Sequence, residues 1–180
     1  MRTIIFLAAI VALASCKGIV FPIEWPWTHF DPLDTADNLV IEKYLGKWYE
    51  IAVIPFYWER DCLCTYANYS LNTDGSIKVQ NSCKYKSLDA NFTTMTATAW
   101  VAESPSKLQV EFFYPFDARY WVLRIDSNHT YALIGEPTRK YLWILSRTPT
   151  LDTKTFNDLI TYARLVGFPV DKLVKTVQEC

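Results

Sequence analysis

The sequence predicts an all-β chain, an eight-stranded antiparallel up-and-down β-barrel with one C-terminal α-helix packed outside it. Three observations predict this. Short runs rich in Val, Ile, Thr, Tyr, Phe and Trp recur from Gly46 onward, turn residues separate them, and helical spacing appears once, past Pro149. Eight hairpin-linked strands remove their exposed edges by closing on themselves, and a barrel of that strand number has room for packed side chains or for one small ligand. The alternative is a two-sheet sandwich. Alternation favours the barrel: in 76–85, Ile77, Val79, Asn81, Cys83 and Tyr85 fall on one side, while Ser76, Lys78, Gln80, Ser82 and Lys84 fall on the side expected to face water.

The 180 residues are enough for one domain with a full core, and 51% of them are hydrophobic and 16% aromatic. A formal net charge of −1, from 18 basic and 19 acidic residues without a block of one sign, shows neither a nucleic-acid footprint nor a polybasic membrane patch. The expected partner is neutral or apolar.

Met1-Arg2-Thr3 followed by the apolar run Ile4 to Ala14 reads as a signal peptide over 1–16. Leu13-Ala14-Ser15-Cys16 resembles the lipobox at which bacterial lipoproteins are cut and acylated on the cysteine, and cleavage before Lys17 fits equally. No later apolar run approaches the roughly 20 residues of a membrane-spanning helix. Residues 17–40 carry Pro22, Pro26 and Pro32 among Phe21, Trp25, Trp27 and Phe30, which forbids a long helix or central strand and leaves an irregular arm. The barrel, helix and tail are expected to fill 41–180.

Strands are expected at about 46–57, 62–71, 76–85, 92–102, 107–115, 119–126, 129–136 and 141–147, with turns at Asp74-Gly75, Ser104-Pro105-Ser106, Asn128-His129 and, longer, Glu136 to Lys140. Past Pro149, Leu159, Ile160, Ala163 and Val166 recur at helical spacing. Asp152 or Thr153 can cap the start, and Gly167-Phe168-Pro169 ends the run. An extended tail, Leu173 to Val177, leads to Cys180.

Beyond Cys16, the chain holds Cys62, Cys64, Cys83 and Cys180, an even set that reads as two disulfides in an exported chain, with three connectivities open. The Cys62-x-Cys64 spacing is not completed into a metal site by a histidine or a second close cysteine pair. No cofactor is expected. Asn68-Tyr69-Ser70, Asn91-Phe92-Thr93 and Asn128-His129-Thr130 are glycosylation sequons in a eukaryotic secretory pathway.

Gly46-Lys47-Trp48-Tyr49-Glu50-Ile51-Ala52 resembles the GxW motif that opens the first strand of lipocalins, and Tyr44-Leu45 matches the short helical turn before it. Ala67 to Leu71, the Asp74-Gly75 turn and Tyr141-Leu142-Trp143-Ile144-Leu145-Ser146-Arg147-Thr148-Pro149 resemble segments of the apolipoprotein D and bacterial outer-membrane (Blc-like) branch of that family. The middle lipocalin motif is matched only loosely, by Ile125-Asp126 and Tyr131-Ala132-Leu133.

The resemblance implies that Arg147 lays its guanidinium on Trp48, a cation–π contact that closes the narrow end together with Gly46. It implies that Tyr69, Asn81, Phe112, Tyr120, Trp143 and Leu145 point into the cup, with Tyr85 and Arg124 as further candidates near the mouth. It implies that Cys64 pairs with Cys180, closing a long loop worth about 4 kcal/mol by chain entropy. Cys62 then remains for Cys83, a pairing that relatives also suggest although the two are not opposite in a simple hairpin count.

The function implied is extracellular transport, sequestration or storage of a small hydrophobic ligand such as a fatty acid, lysophospholipid or sterol-like molecule, with pigment binding as a variant. Selectivity is expected from Asn81 and the tyrosine hydroxyls. The expected chain is not an enzyme. The competing enzyme reading rests on Cys83, whose parity is inward, as a nucleophile for an isomerase, and lapses if that sulfur is oxidised. His29 and His129 stand at no catalytic spacing, and Glu50 and Glu111 read as rim or outer-face groups. A third reading docks the cup on a membrane, through an acyl group on Cys16 or through Trp25 and Trp27; oligomeric state stays open.

Overall fold

Each expected β run becomes a strand, and each strand pairs antiparallel with its neighbours in sequence. In the computed structural model, which describes residues 32–57, 59–113 and 116–180 without the side chains of Phe112, Phe113 and Phe116, a one-turn helix α1 (Ile41–Tyr44) leads into β1 (Gly46–Ile54). Then follow β2 (Cys62–Leu71), β3 (Ile77–Tyr85), β4 (Phe92–Ser104), β5 (Lys107–Phe113), β6 (Phe116–Ile125), β7 (Tyr131–Gly135) and β8 (Leu142–Ser146). Helix α2 (Thr153–Leu165), a 3-10 turn at Val170–Lys172 and a two-residue strand β9 (Val174–Lys175) complete the order. The expected signal segment, the Leu13–Cys16 motif and most of the arm, with Trp25, Trp27 and His29, lie outside the described residues.

The sheet closes. β1 pairs with β2 through Gly46 to Tyr49 and with β8 through Tyr49 to Ile54, so the eight strands form an antiparallel barrel as expected. Its upper half does not hold β2. There Ala52 and Val53 pair with Lys175 and Val174 of β9, so part of the expected tail is a ninth strand.

Some boundaries differ from expectation for local reasons. β1 stops at Ile54 because Pro55 lacks the N–H that a ladder needs. β7 starts at Tyr131, since the Asp126 carboxylate accepts from the backbone N–H groups of Asn128, Thr130 and Tyr131 and holds 126–130 as a turn. His129 in that turn is 3% exposed, not the surface residue that a sequon suggests; its Nε2 accepts from the Val40 N–H at 3.1 Å and ties the irregular 32–40 segment to the barrel.

Bulges exchange the faces of two strands. Register shifts in β1 between Glu50 and Ala52 and in β6 between Val122 and Arg124, so inward and outward residues swap parity beyond each. Trp48 and Val122 therefore belong to an inner core, with Ala67, Ile77, Ala97, Ala99, Leu108, Ala132 and Ile134. Ala52, Ile54 and Leu123 belong to an outer core beneath α2, with Leu133, Leu142, Ile144, Phe156, Leu159, Ala163 and Phe168. Strand β3 keeps the expected alternation with one exception: Ser82, assigned to the water side, is 4% exposed because its hydroxyl bonds Thr94 across the ladder at 2.8 Å.

Helix α2 starts where Asp152 caps it, its carboxylate accepting from the Thr155 N–H at 2.9 Å, and ends before Gly167, whose φ of +92° turns the chain back. Phe168 then fits against β7. A Cβ on Gly135 would meet Phe168 Cζ at 2.5 Å and Leu123 Cδ1 at 2.9 Å, so helix and barrel approach only over a bare backbone.

The narrow end is held by one cation. Arg147 lies over the Trp48 ring at 3.9 Å and donates from Nη1 to the Lys47 carbonyl, from Nη2 to the Lys43 carbonyl and from Nε to the His129 carbonyl, at 2.8, 2.6 and 3.2 Å. Trp48 is fully buried, and its Nε1 donates to the Tyr44 carbonyl at 2.7 Å. The expected clamp is present.

Two disulfides tie the wall, Cys62 to Cys83 and Cys64 to Cys180, as the resemblance implied. The first is diagonal: Cys62 is opposite Tyr85, and a bulge between Leu63 and Tyr66 brings the two Cα atoms to 5.5 Å. In that bulge Cys64 has φ +56° and its N–H donates to the Val177 carbonyl at 2.7 Å, aiming it at the tail.

Arg147→Ala is expected to lower the unfolding free energy by about 2–4 kcal/mol, the combined scale of a cation–π contact and a charge-assisted bond. Arg147→Lys, lacking the planar fork, should recover less than half of that in urea denaturation. A fully stable alanine variant would remove the clamp from the account. Gly135→Ala is expected to cost about 1–3 kcal/mol through overpacking, with Phe168 displaced; an unchanged denaturation midpoint would show that α2 yields freely.

Candidate functional site

The barrel encloses a hollow of about 710 Å³, opening at the end where the 86–91 and 136–141 connections lie. That size suits a small organic ligand. Space is left because the inner face alternates large rings with small groups: Ala67, Val79, Val110 and Ala118 border it beside Tyr69, Tyr120 and Trp143.

Tyr69, Asn81, Tyr120, Trp143 and Leu145 all border the hollow, brought there from β2, β3, β6 and β8. Phe112 lies in β5, and its side chain is outside the described residues. Tyr85 borders the mouth and is 49% exposed. Arg124 does not come near it. The bulge at Leu123 turns Arg124 to the outer face, where its guanidinium sits 3.8 Å over the Tyr162 ring of α2.

Aromatic rings run from base to mouth. Trp48 meets Tyr44 at 4.8 Å, Tyr44 meets Tyr69 at 5.3 Å, Tyr69 meets Tyr120 at 6.3 Å and Tyr120 meets Trp143 at 6.5 Å. Tyr141 and Phe56 continue the series to the rim. Offset and tilted rings at these spacings attract one another and make a stiff apolar wall.

The phenols, expected to select a ligand, are spent on one another. Tyr120 Oη lies 2.6 Å from Tyr44 Oη and 2.9 Å from Tyr69 Oη. Burial pushes the Tyr69 phenol up to about 12 and raises Tyr44 and Tyr120 as well, so all three stay neutral.

Polarity comes instead from two acids, neither of them among the expected cup residues. Glu50, expected at the rim or outer face, is 5% exposed and borders the hollow; it precedes the β1 bulge, on the inward parity of Trp48. Its Oε1 accepts from Thr176 Oγ1 at 2.6 Å. Glu59 joins it from the 55–61 connection and accepts from Trp143 Nε1 at 3.4 Å. Burial raises both carboxyls above the ordinary range, and the Glu50 charge raises Glu59 further. The inward parity of Glu50 with Trp48 was the one available signal; Glu59, in a loop, gave none.

Cys83 also borders the hollow, but its sulfur is bonded to Cys62 and carries no thiolate. The sequon residues Asn91 and Asn128 are exposed at turns, whereas Asn68 is half-buried within β2. Among the described residues there is no cluster of metal-ligating side chains and no helix long and apolar enough to cross a membrane.

A model of the lipocalin-like domain matches residues 39–178. The chain is 34% identical over 170 residues to outer membrane lipoprotein Blc of Escherichia coli (strain K12), covering 93% of this chain and 95% of that protein. It is 35% identical over 150 residues to apolipoprotein D of Bos taurus, covering 79% and 78%. Insecticyanin from the tobacco hornworm Manduca sexta shares its fold with a TM-score of 0.65 at 20% identity, over 82% of this chain and 85% of that one. A closed eight-stranded barrel whose GxW tryptophan lies under a last-strand arginine, together with a family match over most of the chain, settles its membership: the chain belongs to the lipocalin family.

Proposed function

We propose that this lipocalin carries or sequesters a small hydrophobic ligand of the fatty acid, lysophospholipid or related lipid class in its barrel, outside the cytoplasm. The observation that carries the reading is the hollow: about 710 Å³ walled by rings and aliphatic groups, in a family that binds small hydrophobic molecules. Tyr69, Asn81, Phe112, Tyr120, Trp143 and Leu145 are the proposed contacts. Affinity comes from apolar surface leaving water, and the stiff aromatic wall keeps the binding shape without a ligand.

Two disulfides support an oxidising compartment. Attachment to an outer membrane through Cys16 is a second reading, favoured by the likeness to a protein named as an outer membrane lipoprotein. The mass of the mature N-terminus separates the two, since a diacylglyceryl cysteine marks the anchor and an N-terminus at Lys17 removes it. The bonded Cys83 supports binding over cysteine catalysis, and a free-thiol titration of the native protein tests this: a reactive thiol at Cys83 would revive the enzyme.

Displacement of the neutral fluorophore N-phenyl-1-naphthylamine measures the hollow directly. A series of alkanols is expected to gain about four-fold in affinity per added methylene, the equivalent of about 0.8 kcal/mol, until the chain reaches the tyrosine floor and the gain stops. Asn81 is half-buried beside open space, so Asn81→Trp can place an indole there; it is expected to weaken binding at least ten-fold. A protein that takes up no apolar probe, or a tryptophan variant that binds as before, defeats the carrier reading.

A further inference from the structure

One corner of the hollow is polar in a way that barrel closure does not require. Gln178 Nε2 donates to the backbone carbonyls of Glu50 and Thr65, at 2.8 and 2.7 Å, so these residues sit side by side where β1 and β2 part. Their side chains border the hollow at 5% and 9% exposure, and Glu59 reaches the same corner. Glu59 Oε2 and Thr65 Oγ1 are buried with no hydrogen-bond partner.

Among the described residues no cation pairs with these carboxyls. Arg60, Lys172 and Lys175 border an outer groove of about 540 Å³ that Glu50 and Glu59 also line, yet none of the three is within ion-pair distance of either carboxyl, and Lys175 Nζ sits over the Phe156 ring at 4.6 Å. Asp117 and Arg119 are exposed where they border the hollow. Among the described residues neither Glu50 nor Glu59 belongs to an ion pair. Two uncompensated acids in an apolar cup are costly, and an orphaned hydroxyl beside them adds to the cost.

We propose that Glu50, Glu59 and Thr65 form a subsite for the protonated amino group of the ligand, so that the cup prefers long-chain primary amines to fatty acids and alcohols. The proposal rests on the carrier reading of the same hollow. A primary ammonium has three N–H donors and no acceptor, and the corner offers three acceptor groups and negative charge. A carboxylate head meets repulsion there, and a hydroxyl head leaves acceptors unfilled. Burial raises both carboxyls and the Glu50 charge raises Glu59 further, so the acids of the empty cup, Glu59 above all, hold their protons to a higher pH than usual. An ammonium that displaces those protons binds more easily as pH rises, for as long as the amine itself stays charged.

The test uses full-length protein loaded with N-phenyl-1-naphthylamine and displaced by dodecylamine, dodecanol or dodecanoate. Dodecylamine is expected to bind at least ten-fold tighter than dodecanol at pH 8, with the ratio shrinking at pH 5.5 and dodecanoate the weakest of the three at pH 8. Glu59→Gln and the double variant Glu50→Gln, Glu59→Gln keep side-chain shape and an amide oxygen for Trp143 and Thr176. The double variant is expected to bring the amine-to-alcohol ratio below three-fold, and Thr65→Val to lower it in part. Each ratio is taken within one variant, so a general loss of affinity cancels.

An amine-to-alcohol ratio near one in the parent, a ratio that survives in the double variant, or a preference for dodecanoate overturns the proposal while leaving the carrier intact. Failure of the fluorophore itself to bind overturns both.

Discussion

The first strand carries hydrogen bonds on both of its edges, and the remaining architecture follows from how far along it each partner extends. β8 accompanies β1 from Tyr49 to Ile54, whereas β2 leaves it after Tyr49 and β9 replaces β2 at Ala52 and Val53. Without β1 the remaining seven strands would be an open sheet with two bare edges. With it they close, but the seam is stitched by three different devices: a ladder below, the Gln178 amide in the middle and a two-residue strand above. The Cys64–Cys180 disulfide fastens the tail that supplies the last two, bridging a sequence separation of 116 residues. A staple of that span draws its effect from the unfolded chain, which loses the freedom to separate the tail from β2.

The closed end and the hollow are solved by opposite uses of the same residue types. Below, Trp48, Tyr44 and the Arg147 guanidinium pack on one another, with the Trp48 indole donating to the Tyr44 carbonyl and Arg147 to the Lys43 carbonyl. Higher up, rings stand on the wall while alanines and valines occupy neighbouring inward positions, and volume is left over. A stiff ring ladder resists collapse into that volume, because each ring is braced by the next and the three phenols are locked by two hydrogen bonds. An aliphatic lining of equal area would have rotamers free to fold inward.

What was legible in the sequence is what strict period encodes. Alternation located eight strands, helical spacing located α2, and Gly75 with φ +84° occupies the turn that Asp74-Gly75 announced. The GxW and last-strand motifs carried the Trp48–Arg147 contact, the wider family resemblance implied the two disulfides, and five of the six expected cup residues face one hollow. Facing is legible only where the period is unbroken. A bulge adds one residue without any mark in the hydrophobic pattern, so Arg124 changes sides at Leu123 and lands on Tyr162, and Ala52 and Ile54 face α2 although their parity matches Glu50. Glu50 was assigned outward by its charge, though parity with Trp48 put it inside. The tail's return to β1 is a long-range pairing of two residues, too short to have a period at all.

At Glu50 the local parity of β1 prevails over the general tendency of carboxylates to avoid interiors. That tendency has a physical exception: an acid is kept inside where something else makes its presence favourable, such as a bonded proton, a buried cation or a ligand. Here Thr176 and Trp143 supply one donor to each carboxyl, and the remaining oxygen of Glu59 and the hydroxyl of Thr65 have none. A wall that needed only to be closed could have done so with aliphatic side chains at all three positions. The proposed carrier therefore combines a non-directional apolar body, which would fix how much of a guest is removed from water, with one acceptor-rich corner at the seam, which would fix which end of the guest lies there. Both arise from the same topological fact, that β1 parts from β2 midway and leaves a gap which the tail bridges from outside and whose inner side stays open to the hollow.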